Sequence, residues 1–356
     1  MFPFAKKTKS RVFVGLSGGV DSGVSAALLK REGYDVTGVF IRIEIQGYPC
    51  PAREDRIEAM RVAAHLNIPF IEIDCSDAYQ KRVFAFAMQE FERGRTPNPD
   101  ALCNREIKFG IFFDFARQRG ADYIATGHYA RVEKNDELYA GADHEKDQSY
   151  FLWAVPKEHL AHTLFPVGGM KKHRVRALAK KFRLPNALRP DSQGLCFLGD
   201  ISLEDMLARE IAPKEGAVLS EGGDVVGTHK GVAHYTLGQR HGFTLIAGQE
   251  GSPHFVIAKD NVRNTITVSK HRFPQSTAHT IIVLDEVNRI GDMSDGEYEA
   301  RFRYRQTLIP ARLETRDGQT EVTLLTPHYV PEGQSLVLYR GSRCAGGGII
   351  RTTKLV

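Results

Sequence analysis

Between residues 11 and 126, short apolar runs alternate with stretches of helical periodicity, and no other feature of the chain restricts its fold as tightly. Arg11–Gly15 (RVFVG) reads as a buried strand ending on glycine, and Val24, Ala27 and Leu28 then share one helix face. Tyr34–Ile41 reads as a second strand. Ile57, Met60, Ala64 and Leu66 mark an amphipathic helix, and Phe70–Ile73 reads as a third strand. A helix is expected over Phe109–Arg119 and a strand over Asp122–Thr126. Strands separated by helices imply a parallel sheet covered on both faces, with ligands beyond the carboxyl ends of its strands.

The texture changes after about residue 210. Helical periodicity fades, and glycines and β-branched residues become frequent. Phe255–Ala258 and Thr265–Val268 are joined by a polar turn containing Asp260, Asn261 and Asn264. Thr280–Leu284, Tyr298–Tyr304, Glu321–Leu325 and Ser335–Tyr339 read as further strands at barrel-like spacing. One α/β domain followed by one or two small β domains is the expected order, a reasonable division of 356 residues. No run of 18 apolar residues is present, so no membrane span is expected. The basic N-terminus lacks an apolar signal core, which points to a cytoplasmic location. The net charge of +5 is compatible with an anionic partner.

Ser17-Gly18-Gly19-Val20-Asp21-Ser22 directly follows the first strand and opens the first helix. Backbone N–H groups at a helix start attract anions, glycines let a phosphate approach, and Ser17 and Ser22 add hydroxyls. Asp21 is suited to orient the loop or to hold magnesium through water. The loop contains no lysine, which separates it from the GKS/GKT nucleotide loops. A plain glycine turn is the competing reading, and the strand–loop–helix context weighs against it.

The five cysteines are odd in number and widely spaced, so a disulfide framework is not expected. Two have polar company. Cys103 follows Pro97-Asn98-Pro99-Asp100, with Asp100 within reach across a helical turn and Arg105 and Lys108 just downstream. Cys196 lies in Asp191-Ser192-Gln193-Gly194-Leu195-Cys196-Phe197. Lys171, Lys172, Arg174, Arg176, Lys180, Lys181, Arg183 and Arg189 crowd upstream of it. Such a run is commonly a solvated helix face, and beside a thiol loop it suits a phosphate backbone. Cys75 reads as packing and Cys344 has no catalytic case. Cys50, between two prolines, is placed in a loop.

The loop resembles that of the N-type ATP pyrophosphatases, which cleave ATP to AMP and pyrophosphate and adenylate a substrate. Together with the two cysteine motifs, in this order, it resembles the bacterial tRNA-specific 2-thiouridylases (the MnmA family) over nearly the whole chain. Ala125–Tyr129, Lys146–Phe151, Tyr235–Arg240 and Cys344–Ile350 match further family motifs. The resemblance implies an α/β fold: a parallel-sheet PP-loop catalytic domain over 1–210, a small central β domain over 211–276 and a C-terminal β-barrel over 277–356. It implies that ATP, with Mg2+, lies on Gly15, Leu16, Ser17, Gly18, Gly19, Val20, Asp21 and Ser22, near Phe40 and Gly127. It implies that Cys196 carries a persulfide sulfur, that Cys103 is the nucleophile and its disulfide partner, and that Asp100 is the general acid/base. Asn98, Pro99 and Asp100 would face the wobble uridine of lysine, glutamate or glutamine tRNA. His128, Lys146, Asp147, Gln148, Arg305, Gln306 and Gln334 would contact that tRNA. A persulfide sulfur-donor or relay protein is the further partner implied. The chain departs from the family at Gly23, where a second serine is usual, and at Arg42-Ile43-Glu44, where Lys-Asn-Trp is common. Two other readings are an amidotransferase-type adenylating synthetase and a non-catalytic RNA-binding protein with a relic loop. The two cysteine motifs weigh against the first, and the intact loop against the second.

Overall fold

The computed structural model describes residues 9–48, 52–191, 201–246 and 252–356. These fall into two units interleaved along the chain. One takes the described residues of Met1–Gln80, Asp100–Asp200 and Ser342–Cys344; the other takes those of Lys81–Pro99, Ile201–Gly341 and Ala345–Val356.

In the first unit, β1 (Arg11–Gly15), α1 (Val20–Arg31), β2 (Asp35–Arg42), α2 (Ala52–His65) and β3 (Phe70–Asp74) follow in turn. β4 (Tyr123–Ala125) comes next, then the hairpin of β5 (Ala130–Glu133) and β6 (Glu137–Ala140), and then β7 (Thr163–Leu164). The sheet order is β3-β2-β1-β4-β7, all parallel. Its strands carry buried Val12, Val14, Val36 and Phe40 into one core with Ala26, Leu29, Ala59 and Val62. A second core joins Val20, Val24 and Ala27 of α1 to Val175 and Ala179 of the helix Lys172–Lys181. The chain winds from β1 to β2 on one side and reaches β4 on the other, so the order reverses between β1 and β4. A crevice opens at such a reversal, beyond the strand ends.

Two expectations need correction here. The helix α2 forms, but Ile57 and Met60 are 39% and 41% exposed, and Ala52, Ala59, Val62 and Ala63 face the sheet. Small alanines let the helix lie close, and the larger side chains are left at the margin. The helix expected over Phe109–Arg119 is instead a wide π-helical stretch, Asn104–Ile111, running into an α-helix, Phe112–Gln118. π-Helical turns are rare and recur at functional sites; this one starts at the residue after Cys103.

The second unit holds the expected β-rich remainder. β8 (Gly216–Leu219), β9 (Val225–His229), β10 (Thr244–Leu245), β11 (Phe255–Asp260) and β12 (Thr265–Ser269) form a sheet in the order β10-β9-β8-β12-β11. It packs around Val218, Val256, Ile266 and Tyr235. β13 (Thr280–Arg289), β14 (Gly296–Arg301), β15 (Ile309–Arg316), β16 (Gln319–Leu324), β17 (Ser335–Arg340) and β18 (Arg343–Leu355) follow. Their order, β13-β16-β15-β14-β17-β18, closes into a six-stranded barrel because β13 also pairs with β18. β15 escaped the sequence reading because its inward residues, Ile309, Ala311 and Leu313, alternate with Pro310, Arg312 and Glu314.

Candidate active site

The loop from Gly15 to Ser22 sits at the crevice. Leu16 N–H donates to Val39 O at 2.7 Å, extending the β1–β2 ladder before the chain turns. Gly18 has φ +76°, and a Cβ there would stand 2.5 Å from Asp55 O and 2.7 Å from Arg189 Nη1. Ser22 folds its hydroxyl inward, accepting from Ser17 N at 3.2 Å and donating to Gly19 O at 3.0 Å. Gly127, just past β4, closes the other side: a Cβ there would lie 2.7 Å from Ser22 N. Glycine at both places therefore lets the loop pack closely against Asp55, Arg189 and the segment after β4. Phe40 is packed in the sheet core, 4% exposed, so its side chain supports β2 from below.

Cations and carboxylates surround the loop. Asp21 accepts from Tyr129 Oη at 2.8 Å and from Lys172 Nζ at 2.7 and 2.8 Å. Burial, and next the neighbouring Asp21, push the Tyr129 phenol far above its ordinary pKa, so it keeps its proton and donates. Lys172 also meets Asp191 at 2.8 Å, and Lys146 meets Asp191 at 2.8 Å, with Arg176 on the same carboxylate. Burial alone would raise the Asp191 carboxyl, but the hydrogen bonds from Lys146 and Lys172 outweigh it and hold it well below the usual range. Asn186, 3% exposed, donates its amide to Gly18 O at 2.8 Å and Gly19 O at 3.0 Å. Arg189 bonds Asp55 through Nη2, and its Nη1 is buried with no hydrogen-bond partner among the described residues. An unpaired guanidinium N–H facing a glycine loop is what a phosphate oxygen would satisfy.

The basic segment thus divides. Lys172, Arg176 and Arg189 are pinned around the loop, whereas Lys171, Arg174, Lys180, Lys181 and Arg183 are exposed. Asp55 and Asn186 carried no sequence signal at all. Lys172 and Arg189 were visible only as members of a charge run.

The Lys146–Gln148 segment is likewise built into this network. Asp147, 5% exposed, accepts from Gly141 N and Ser149 N, each at 3.0 Å, and Gln148 Oε1 accepts from Tyr129 N at 3.0 Å. His128 is 8% exposed among Phe109 and Phe165, and its Nδ1 meets Thr126 Oγ1 at 2.7 Å. Burial, and next Lys108, push its pKa well down, so the ring is neutral.

The helix Pro99–Cys103 puts Asp100 and Cys103 one turn apart, as the spacing suggested. Proline is well placed at a helix start, where no N–H is needed. Cys103 is 0% exposed, at the junction with the π-helical turn. Next to it Asn104 donates Nδ2 to Phe151 O at 3.0 Å and leaves its buried Oδ1 without a partner among the described residues. Cys75 is buried at 2%, and burial pushes its thiol up to about 11, in keeping with packing. Cys50 and Cys196 lie outside the described residues.

In the second unit, Asn98 is 9% exposed and donates Nδ2 to Ser335 Oγ at 3.1 Å. Arg305 is exposed, with its guanidinium 5.2 Å from the Tyr304 ring centre. Gln306 Oε1 caps Phe302 N at 3.0 Å and Arg303 N at 3.1 Å, and Gln334 Oε1 accepts from Ser335 N at 2.9 Å.

Three family models match in tandem. Residues 10–200 match one described as a tRNA methyl transferase HUP domain, 204–270 a tRNA methyl transferase PRC-barrel domain, and 278–350 an aminomethyltransferase beta-barrel domain. A tRNA-specific 2-thiouridylase MnmA from Enterococcus faecalis is 40% identical over 97% of this chain and 96% of its own. One from Nitrosomonas europaea is 41% identical over 96% and 98%, and one from Neisseria meningitidis serogroup B is 42% identical over 97% and 96%. The chain belongs to the MnmA family. The methyl-transfer wording of two of the models and the thiolation named for the MnmA relatives describe different chemistries. The glycine loop with its surrounding cations and the cysteine motifs of this MnmA-family chain suit the second. No helix among its described residues is long and apolar enough to cross a membrane.

Proposed function

We propose that the protein is an ATP-dependent tRNA 2-thiouridylase. It adenylates O2 of the wobble uridine in lysine, glutamate and glutamine tRNAs and replaces that oxygen with sulfur. The observation that carries this is the glycine loop Gly15–Ser22, approached closely by Gly127 and faced by Arg189 Nη1, which has no hydrogen-bond partner among the described residues, in a chain that matches enzymes of that name over 97% of its length.

ATP phosphates rest on the N–H groups of Gly18–Ser22, with Lys172 and Arg189 supplying charge. Among the described residues no three His, Cys, Asp or Glu side chains are grouped to hold a metal ion, and Asp21 is engaged by Lys172 and Tyr129. Magnesium bound with ATP would offset the phosphate charge, and Asp21 is the residue of the loop that would orient it through water.

Uracil O2 attacks the α-phosphorus, pyrophosphate leaves, and the C2–O bond now ends in AMP, a good leaving group. Cys196 holds the incoming sulfur as a persulfide delivered by a donor protein. The Cys103 thiolate attacks the inner sulfur, a Cys103–Cys196 disulfide forms, and the released hydrosulfide adds to C2 as AMP departs. An external thiol then reduces the disulfide. Asp100, one turn from Cys103, takes and returns the proton. Asn98 and Pro99 face the base, and the exposed cations of 171–183, with Arg305, meet the tRNA backbone.

The domain division proposed is 1–210, 211–276 and 277–356. In vitro thiolation with a wobble-uridine tRNA, ATP, magnesium and a persulfide donor tests the reading. Thiolated tRNA and stoichiometric AMP are expected. With Cys196→Ser, thiolation is lost while tRNA binding is retained; tRNA binding lost as fully as thiolation would refute that role. Unchanged 2-thiouridine in tRNA from a deletion strain would sink the whole proposal.

A further inference from the structure

The motif Tyr235–Arg240 has no part in the chemistry above, yet it is tied to the segment that leads to Asn98. Lys259, on β11, donates from Nζ to Gly94 O at 2.9 Å and also to Tyr235 O. Gly94 has φ +76°, a left-handed conformation that favours glycine, and it packs against the Asn261 amide in the β11–β12 turn, 2.3 Å from where a Cβ would stand. Two residues on, Thr96 Oγ1 meets Thr236 Oγ1 at 2.5 Å, and Thr96 N donates to Glu332 O at 2.8 Å. Arg95 Nη2 donates to Ile350 O at 3.0 Å. All these residues belong to the second unit.

After Thr96 the chain reads Pro97-Asn98-Pro99. Each proline fixes its own φ near −65° and keeps the residue before it extended. Such a segment has few soft torsions, so a shift at Gly94 or Thr96 is passed on to Asn98 and is not absorbed on the way. The central sheet, together with the barrel contacts of Arg95, Thr96 and Asn98, thereby bears on where the residues proposed to face the base start.

We propose that Lys259 and Thr236 are positioning residues for thiolation, holding Gly94 and Thr96 so that Asn98–Asp100 meet the target uridine in register. Lys259 suits this task because one ammonium can donate to two carbonyls at once, and charge-assisted bonds are the stronger kind. Burial pulls its pKa down to about 8, so the charge is kept there against a desolvation cost. The proposal rests on the 2-thiouridylase reading above.

The test compares wild type, Lys259→Met, Thr236→Val and Lys259→Arg in the thiolation assay, with ATP binding, tRNA binding and thermal melting measured in parallel. Lys259→Met and Thr236→Val should each lower kcat at least about tenfold, since small misplacements of reacting groups are costly. ATP and tRNA affinities should stay within about twofold, and Lys259→Arg should recover part of kcat. If Lys259→Met does not fold, Thr236→Val, which removes one hydroxyl, decides alone. An unchanged kcat in a folded variant overturns the proposal, as does a kcat loss matched by equal losses of ATP and tRNA binding. Wild-type protein that thiolates no tRNA overturns the function itself, and the positioning role falls with it.

Discussion

Lys172 bonds both carboxylate oxygens of Asp21, at 2.7 and 2.8 Å. The pairing joins the phosphate loop to a helix that begins about 150 residues later, and it stations an ammonium where ATP phosphates are proposed to lie. Lys172→Ala should therefore keep its fold but form AMP about 10²-fold more slowly, the usual cost of losing one preorganised charge partner. Pyrophosphate release in the presence of tRNA measures it; a rate within twofold of wild type would remove Lys172 from the site.

Gly127→Ala should weaken ATP binding about 10- to 100-fold with little loss of stability elsewhere. The added methyl would stand 2.7 Å from Ser22 N, and relieving that contact must displace the loop backbone at a cost of about 1–3 kcal/mol. Titration calorimetry with ATP reads the loss directly.

Gly23→Ser should stabilise the protein. Gly23 lies inside α1, where glycine costs about 1 kcal/mol relative to alanine and somewhat less relative to serine. A Cβ there meets Asn186 Oδ1 at an ordinary 3.5 Å, and that buried oxygen has no partner among the described residues. A serine hydroxyl can supply the missing donor. The urea midpoint should rise, and ATP affinity should hold.

Acidification should weaken the Asp191 cluster. Its carboxyl is held below the usual range in the folded chain, so its contribution is complete above the ordinary aspartate pKa of about 3.9 and is lost as pH falls through the depressed value. Wild type should be more stable than Asp191→Asn at pH 7, and the gap should narrow below about pH 4. Thermal melts across that range give the sign; a gap that widens on acidification contradicts it.

Thiol labelling should be selective. Cys75, with its thiol pushed up to about 11, and Cys103, at 0% exposure, should both resist iodoacetamide at about pH 8 when tRNA and ATP are absent. Peptide mass spectrometry identifies the modified sites; rapid alkylation of Cys103 would mean that it opens without its substrate.

Much of the candidate site around the glycine loop was legible because it is local. The strand, glycine loop and helix are contiguous, so periodicity and the Ser17–Ser22 pattern together locate the crevice. Asp55 and Asn186 come to the loop from elsewhere in the chain with nothing in their neighbours to mark them, and Tyr129 and Arg189 stood out only as members of a family motif and of a charge run. The buried face of α2 was misread because alanines, weak as hydrophobic signals, make the closest sheet contact. β15 was hidden by a proline and by charges that alternate outward. The polybasic run looked uniform, and only the fold distinguishes Lys172 and Arg176, turned inward, from Arg174 and Lys180, turned to solvent.

The anchoring of Arg95 by Ile350 O spans 255 positions. A chain emerging from the ribosome would present Asn98 and Cys103 long before the last barrel strand exists to close against β13. The phosphate loop can be assembled early in synthesis, but the segment bearing Asn98 gains its final support only when translation is nearly finished. A nascent or C-terminally shortened chain would thus hold the glycine loop before it could hold in place the segment proposed to face the base, and competence to modify RNA would arrive last.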